Sequence, residues 1–140
     1  MIRISTSKRP EAWHEIEIIW EGEPQPMRVR YWLLDTDEAA QWAAHRLALA
    51  KAVRTNDETA TFDMLIDDLS PEQVKKVRNL LIERVVDWDL ADADADGDKL
   101  DVNPDTVSAV LRNAMFWRPM FQGLLDASGG VAAKKTGSTG

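Results

Sequence analysis

Two segments with alternating side chains constrain the fold of this chain most strongly. In residues 13–20 and 27–33, alternate positions fall on two faces of different character. One face is largely apolar: His14, Ile16, Ile18, Trp20, Met27, Val29, Tyr31 and Leu33. The opposite face is charged: Glu15, Glu17, Arg28 and Arg30. A period of two is typical of strands that bury one face, so these segments predict a β-hairpin with glutamates across from arginines.

The segment between the two strands contains Pro24 and Pro26. Proline has no backbone N–H to donate, so Glu21–Pro26 is predicted to be a linker and not a helix or a central strand. Ile2–Ser5 is the candidate for a third strand of the same sheet.

Three later segments carry helix-start signals. Asp35–Asp37 offers side-chain oxygens that can cap a helix running to about Thr55. Ser70–Gln73 combines a capping serine, a proline at the first helical position and a glutamine that completes a capping box. Asn103–Asp105 predicts another helix by the same logic. Residues 60–69 fit helical and strand spacing, and we favour a short helix.

The C-terminal part is expected to be helical with one interruption. Pro119 predicts a corner at Phe116–Arg118, followed by a helix through Asp126. The chain is therefore predicted to be α+β, with an N-terminal hairpin of two or three strands followed by four to five helices. We expect one domain over residues 1–128, with residues 1–34 forming the hairpin region and 35–128 the helical region. Residues 129–140 are expected to form a flexible tail.

Charge is concentrated in one window, Glu83–Asp105. It holds nine acidic and two basic residues, and their difference, −7, equals the formal charge of the 140-residue chain. This acidity argues against non-specific nucleic-acid binding. Crowded carboxylates repel, so their pKa values are expected to rise and acid is expected to stabilise the window. No apolar run approaches the length of a membrane span, and no cysteine is available for disulfides.

The acidic window contains half of a calcium-loop pattern. Asp92, Asp94, Asp96 and Gly97 match its first positions, and with Asp98 these aspartates are weak candidates for metal ligands. The second half departs from the pattern, because Asn103 stands where a bidentate glutamate is required. A solvated acidic loop is the simpler interpretation. We expect no cofactor, and micromolar calcium is expected to have no effect.

Catalytic patterns are not found in the sequence. The two histidines, His14 and His45, lie without a cysteine or acid at ligand spacing. No serine–histidine–aspartate pattern and no glycine-rich phosphate loop occurs. A non-enzymatic role is therefore expected.

Several segments together resemble the tail assembly chaperones of long-tailed bacteriophages and prophages. They are Val85–Trp88, the acidic turn that ends at Gly97, Leu100–Asp105, the helices around Pro119, and the strand Arg28–Tyr31 followed by Leu34–Glu38. The resemblance covers roughly residues 27–130.

The resemblance implies a protein that binds the tape-measure protein, keeps it soluble and helps to recruit tail-tube subunits. It also implies self-association, a location in the host bacterial cytoplasm, absence from the mature virion, and a longer form made by frameshifting near Lys134 and Lys135. Neither nucleic acid nor a membrane is an expected partner. Our candidates for client contact are aromatic and apolar: Phe116, Trp117, Met120, Phe121 and Trp42. A calcium-binding module and a bacterial adaptor that pairs through its hairpin edge remain alternatives.

Overall fold

The computed structural model describes residues 1–42 and 71–129 and confirms an α+β fold. Predictions for residues 43–70 and for 130–140 lie outside the described residues; they include His45, the Ser70 cap and nearly all of the tail. The strands are β1 (Glu11–Trp20), β2 (Glu23–Trp32) and β3 (Val85–Trp88). The helices are α1 (Pro71–Arg84), α2 (Pro104–Leu111) and α3 (Ala114–Ser128), and residues 36–42 are also helical.

The predicted hairpin is present, with a shorter turn than expected. β1 and β2 pair antiparallel, and Glu15 lies directly across from Arg28. The turn consists of Glu21 and Gly22 alone, with φ values of 53° and 80°. Two consecutive positive φ values are typical of a type I′ turn, whose twist matches that of the flanking strands. The six-residue linker predicted from the prolines is therefore wrong.

Pro24 and Pro26 lie inside β2, which is the central strand. The backbone of Arg28 points to the β3 side of β2. Its N–H donates to the Asp89 carboxylate over 2.9 Å, and its carbonyl accepts from the Asp89 N–H over 3.2 Å. Along a strand, the side to which the backbone N and C=O groups point repeats every two residues, so positions 24 and 26 point to the same side as position 28. The prolines thus face the edge that β3 occupies, beyond the residues that β3 pairs. They therefore remove no hydrogen bond from the β2–β3 ladder.

The third strand comes from a different part of the chain than predicted. Val85–Trp88 follows α1 without a linker and pairs antiparallel with β2, giving the order β1-β2-β3. Ile2–Ser5 forms no strand, and the Ile2 and Ile4 side chains are exposed. The apolar spacing of Val77, Leu81, Val85 and Trp88 would also fit a helix that continues to Trp88. The β-branched pair at Val85 and Val86 instead starts the strand, where such side chains pack well.

Helix α3 covers the buried face of the sheet at very short range. The Tyr31 hydroxyl donates a buried hydrogen bond of 2.8 Å to the Met120 carbonyl. A Cβ atom placed on Gly123 would lie 2.7 Å from both Ile16 Cγ2 and Tyr31 Oη. Only glycine permits this distance between helix and sheet.

The corner predicted at Phe116–Arg118 is wrong, since α3 continues through Pro119. Proline in a helix deprives the carbonyl four residues earlier of its donor. Here that carbonyl belongs to Met115, which lies in the first turn of α3 and is exposed. The interruption therefore falls at the solvent-facing start of the helix, where its cost is small.

Two predicted helix starts are confirmed by reciprocal capping. Asn103 and Thr106 exchange backbone-to-side-chain hydrogen bonds of 3.0 Å in each direction. Asp35 and Glu38 do the same, with 2.8 Å from the Glu38 N–H and 3.2 Å from the Asp35 N–H. Each pair satisfies two donors at the start of a helix.

Gly123→Ala is expected to destabilise the fold. Alanine would improve helix propensity by about 1 kcal/mol, but its methyl group would collide with Ile16 and the fixed Tyr31 hydroxyl. Overpacking of this kind costs about 1–3 kcal/mol, so we expect a net loss in urea melts. Gly129→Ala is the matched control, because a Cβ there meets the Leu125 carbonyl oxygen at a tolerable 3.4 Å. Equal stability of the two variants would contradict the close packing.

Trp88→Ala is expected to cost about 3–5 kcal/mol of unfolding free energy. The Trp88 side chain is fully buried, and its indole N–H donates to the Leu100 carbonyl over 2.8 Å. Trp13→Ala serves as the control, because Trp13 is 40% exposed and its removal leaves no cavity in the core. If the two variants lose similar amounts of unfolding free energy in denaturant melts, the Trp88 side chain does not contribute to the core as described.

Candidate functional site

The acidic window forms a compact loop that turns back on itself. The Leu100 N–H donates to the Leu90 carbonyl over 2.8 Å, and the Asp92 N–H donates to the Asp98 carbonyl over 2.6 Å. At the tip, Asp96 and Gly97 adopt φ values of 55° and 84°. The loop is therefore held by its own backbone hydrogen bonds.

The four candidate metal ligands, Asp92, Asp94, Asp96 and Asp98, do not converge. Within residues 1–42 and 71–129, no group of three or more His, Cys, Asp and Glu side chains is placed to hold a metal ion. The Asp92 carboxylate instead accepts the Asp94 N–H over 2.9 Å. This is an Asx turn, which shapes a loop without any ion. The geometry gives the calcium hypothesis no support.

An ion pair between Lys99 and Asp87 fixes the base of the acidic loop to β3. The Asp87 carboxylate also accepts the Trp88 N–H over 2.9 Å. The hydrogen bond from Lys99, more than any other contact, lowers the pKa of Asp87 below its usual value. Asp87 therefore behaves opposite to the rise in pKa expected from carboxylate crowding.

An open apolar groove of about 520 Å³ lies between the tip of the hairpin and the acidic loop. Residues from several parts of the chain line it: Ile18, Trp20, Gln25, Pro26, Met27, Leu90, Ala91, Asp92, Ala93, Gly97 and Phe116. Trp20 is 45% exposed, and its ring centroid lies 5.7 Å from that of Phe116. The groove thus presents a large accessible aromatic side chain beside the acidic loop.

Four of the five predicted client contacts lie in the core and form no surface patch. Phe116, Trp117, Met120 and Phe121 are at most 8% exposed, because α3 is the helix that covers the sheet. Trp42 is half-buried and packs edge-to-face against Phe121 at 5.7 Å. Only Phe116 reaches the groove. In this fold the other four belong to the packing of the protein.

Three residues of the groove could not be identified as binding residues from the sequence: Trp20, Pro26 and Leu90. In the alternation of β1, Trp20 falls on the buried face. It is the last residue of the strand, however, and its side chain extends past the core. A large apolar residue on the buried face next to a tight turn is the signal that could have identified it. Pro26 and Leu90 come together only through the β2–β3 pairing, which the sequence did not predict.

His14 is a core residue on β1 with 6% exposure. Burial lowers its pKa, and the nearby Asp126 carboxylate partly opposes that effect. A histidine side chain buried in the core is poorly accessible to a substrate, which is unfavourable for a catalytic base.

The Asp87–Lys99 pair predicts a specific pH dependence. A lowered folded-state pKa contributes stability above the unfolded pKa of Asp87, and that stability is lost as pH falls through the folded value. Asp87→Asn should therefore melt at a lower temperature than the wild type at pH 7. The difference should vanish at acid pH, below the lowered pKa. A difference in melting temperature that persists unchanged at about pH 2 would contradict this ion-pair account.

Within the described residues, no helix has the length and apolar character needed to cross a bilayer. The chain matches no protein-family model, no curated protein and no solved structure. A functional assignment therefore depends on the geometry of the groove and on the resemblance carried by the sequence segments.

Proposed function

We propose that this protein is a phage tail assembly chaperone. It binds the tape-measure protein in the cytoplasm of the bacterial host, keeps it soluble, helps to recruit tail-tube subunits and leaves before the virion is complete. The observation that carries the proposal is the apolar groove with an acidic border. The role is one of binding and not of catalysis.

The groove has the chemistry of a site for apolar side chains. Trp20, Pro26 and Leu90 supply apolar surface from three separate segments, and the Phe116 ring forms part of the wall. Its volume of about 520 Å³ suits a few side chains from one or two turns of an amphipathic helix. An aggregation-prone helical client would thus have a short apolar stretch covered at each contact.

The border of the groove favours a client with basic residues beside its apolar stretch. Asp92 lines the groove, and the rest of the acidic loop follows it. The one basic residue in residues 91–99 is Lys99, whose ammonium group is already paired with Asp87. Complementary charge of this kind speeds association and selects among apolar partners.

The adaptor alternative also has a structural observation in its favour. β1 is an outer strand of ten residues, and no described strand pairs with its free edge. Under that alternative, a partner strand would extend the sheet through backbone hydrogen bonds. Glu17→Pro would disturb the backbone of this edge strand and abolish such binding, while leaving the lining of the groove unchanged.

The proposal predicts that a tape-measure protein is encoded beside this gene, and the test is co-expression with that protein, comparing wild type, Trp20→Ala and Trp13→Ala. Wild type should keep the tape-measure protein in the soluble fraction and co-purify with it. Trp20→Ala should weaken binding by about tenfold or more, as expected for a central aromatic contact. Trp13→Ala should match the wild type, because Trp13 has similar exposure but lies on the opposite face of the same strand.

Aggregation of the tape-measure protein in the presence of wild type would overturn the chaperone proposal. Equal losses of binding for Trp13→Ala and Trp20→Ala would place the client somewhere other than the groove. Loss of binding with Glu17→Pro but not with Trp20→Ala would favour the adaptor alternative. Each variant is first checked for a cooperative thermal melt, so that misfolding is not mistaken for lost binding.

A further inference from the structure

We infer that the outer face of the β1–β2 hairpin is a self-complementary surface through which two copies of the chain pair face to face. This face is opposite to the one covered by α3. The inference does not depend on the groove or on the proposed client.

The outer face carries exposed aromatic side chains that already contact neighbouring residues. Trp13 and Trp32 are 40% and 42% exposed. The Arg28 guanidinium carbon lies 5.0 Å from the centre of the Trp13 ring, and the Trp32 indole N–H donates to Glu11 over 2.5 Å. Glu11 also forms an ion pair of 2.5 Å with Arg30. Side chains held in this way lose little further conformational entropy when a partner covers them.

Charge on this face is sorted by strand. The outward residues of β1 include Glu15 and Glu17, while those of β2 include Arg28 and Arg30, and Glu15 lies directly across from Arg28. A two-fold axis that runs parallel to the strands, between β1 and β2, would place β1 of one copy over β2 of the other. Each Glu15 would then face Arg28 of the second copy, and the pair would occur twice. An axis along β2 would instead oppose arginines.

The free edge of β1 is a poorer surface for a second copy. Antiparallel pairing of two β1 edges in register would bring Glu15 and Glu17 of one copy beside the same glutamates of the other. Like charges on neighbouring strands are unfavourable, and edge strands commonly use them to prevent such pairing. Charge thus favours the face of the hairpin over its edge.

The size of the face sets the expected strength of the contact. Two strands of ten residues each span about 34 Å by about 10 Å. This is smaller than the roughly 800 Å² per partner of a standard stable interface. We therefore expect a concentration-dependent dimer with a micromolar or weaker Kd, weakened further by added salt.

The decisive experiment uses two charge reversals, Glu15→Arg and Arg28→Glu, in sedimentation velocity at low salt. Wild type should dimerise as its concentration rises. Each variant alone should show a Kd at least about tenfold higher, because both intermolecular pairs become repulsive. An equimolar mixture of the two variants should recover dimers. In a mixed dimer the arginine introduced by one substitution faces the glutamate introduced by the other, and the native Arg28 faces the native Glu15.

The mixture separates intermolecular from intramolecular effects. Within each variant the cross-strand pair stays repulsive after mixing, so recovered dimers can arise only from contacts between chains. Lys76→Glu on the exposed surface of α1 changes the net charge by the same amount as Arg28→Glu, so it is the control for that variant and should dimerise like wild type.

A wild type that stays monomeric up to about 1 mM, a concentration at which even a weak specific contact is populated, would overturn the inference. So would single reversals that dimerise as well as wild type, or a mixture that does not recover. If a reversal fails to melt cooperatively, Trp32→Ala replaces it and must weaken the dimer.

Discussion

The hydrogen bond from the Tyr31 hydroxyl to the Met120 carbonyl, 2.8 Å long and buried, joins the central strand to the last helix. It forms because Gly123 lets the helix approach the sheet to a distance that a methyl group would prevent. Burial raises the pKa of the Tyr31 phenol, so the hydroxyl stays protonated and can donate. This contact holds α3 close to the sheet at its middle turns.

The position of the groove is a consequence of that packing. With α3 fixed over β1 and β2, its first turn brings Phe116 against Trp20 at the tip of the hairpin. The acidic loop completes the opposite side, and the Lys99–Asp87 pair holds the base of that loop to β3. One end of the molecule therefore combines accessible apolar surface with concentrated negative charge. A holdase for basic amphipathic helices needs that combination, because it must cover apolar surface and keep the complex soluble.

The sequence predicted features that depend on local chemistry. The strand alternation predicted a hairpin with glutamates across from arginines, which holds for Glu15 and Arg28, whereas Glu17 lies across from Pro26. The cap at Asn103 follows from its own side chain. The third strand could not be predicted, because Val85–Trp88 continues the apolar spacing of a helix and is defined only by its pairing with β2. The corner predicted from Pro119 is wrong for a related reason. The free-energy cost of a proline in a helix depends on whether the carbonyl four residues earlier, here that of Met115, can reach solvent. The sequence alone does not show this.

The candidate site was harder to predict than the fold. The concentration of aromatic residues in the sequence pointed to Phe116–Phe121. A core cluster and a binding surface can have the same concentration of aromatic residues, and here the cluster lies in the core. The accessible aromatic residue of the groove is Trp20, which is isolated in sequence at the end of β1. Its partners in the groove come from β2, from α3 and from the loop after β3. Such a site exists only after the chain has folded.

The central claim, that the client occupies the groove, is tested most directly by site-specific photo-crosslinking with the tape-measure protein. A photoreactive residue replaces Gln25, which is exposed and lines the groove, or Gln41, which is exposed and does not line it. The account predicts a crosslink to the tape-measure protein from position 25 and none from position 41. Crosslinking from position 41 alone, or equally from both, would contradict it.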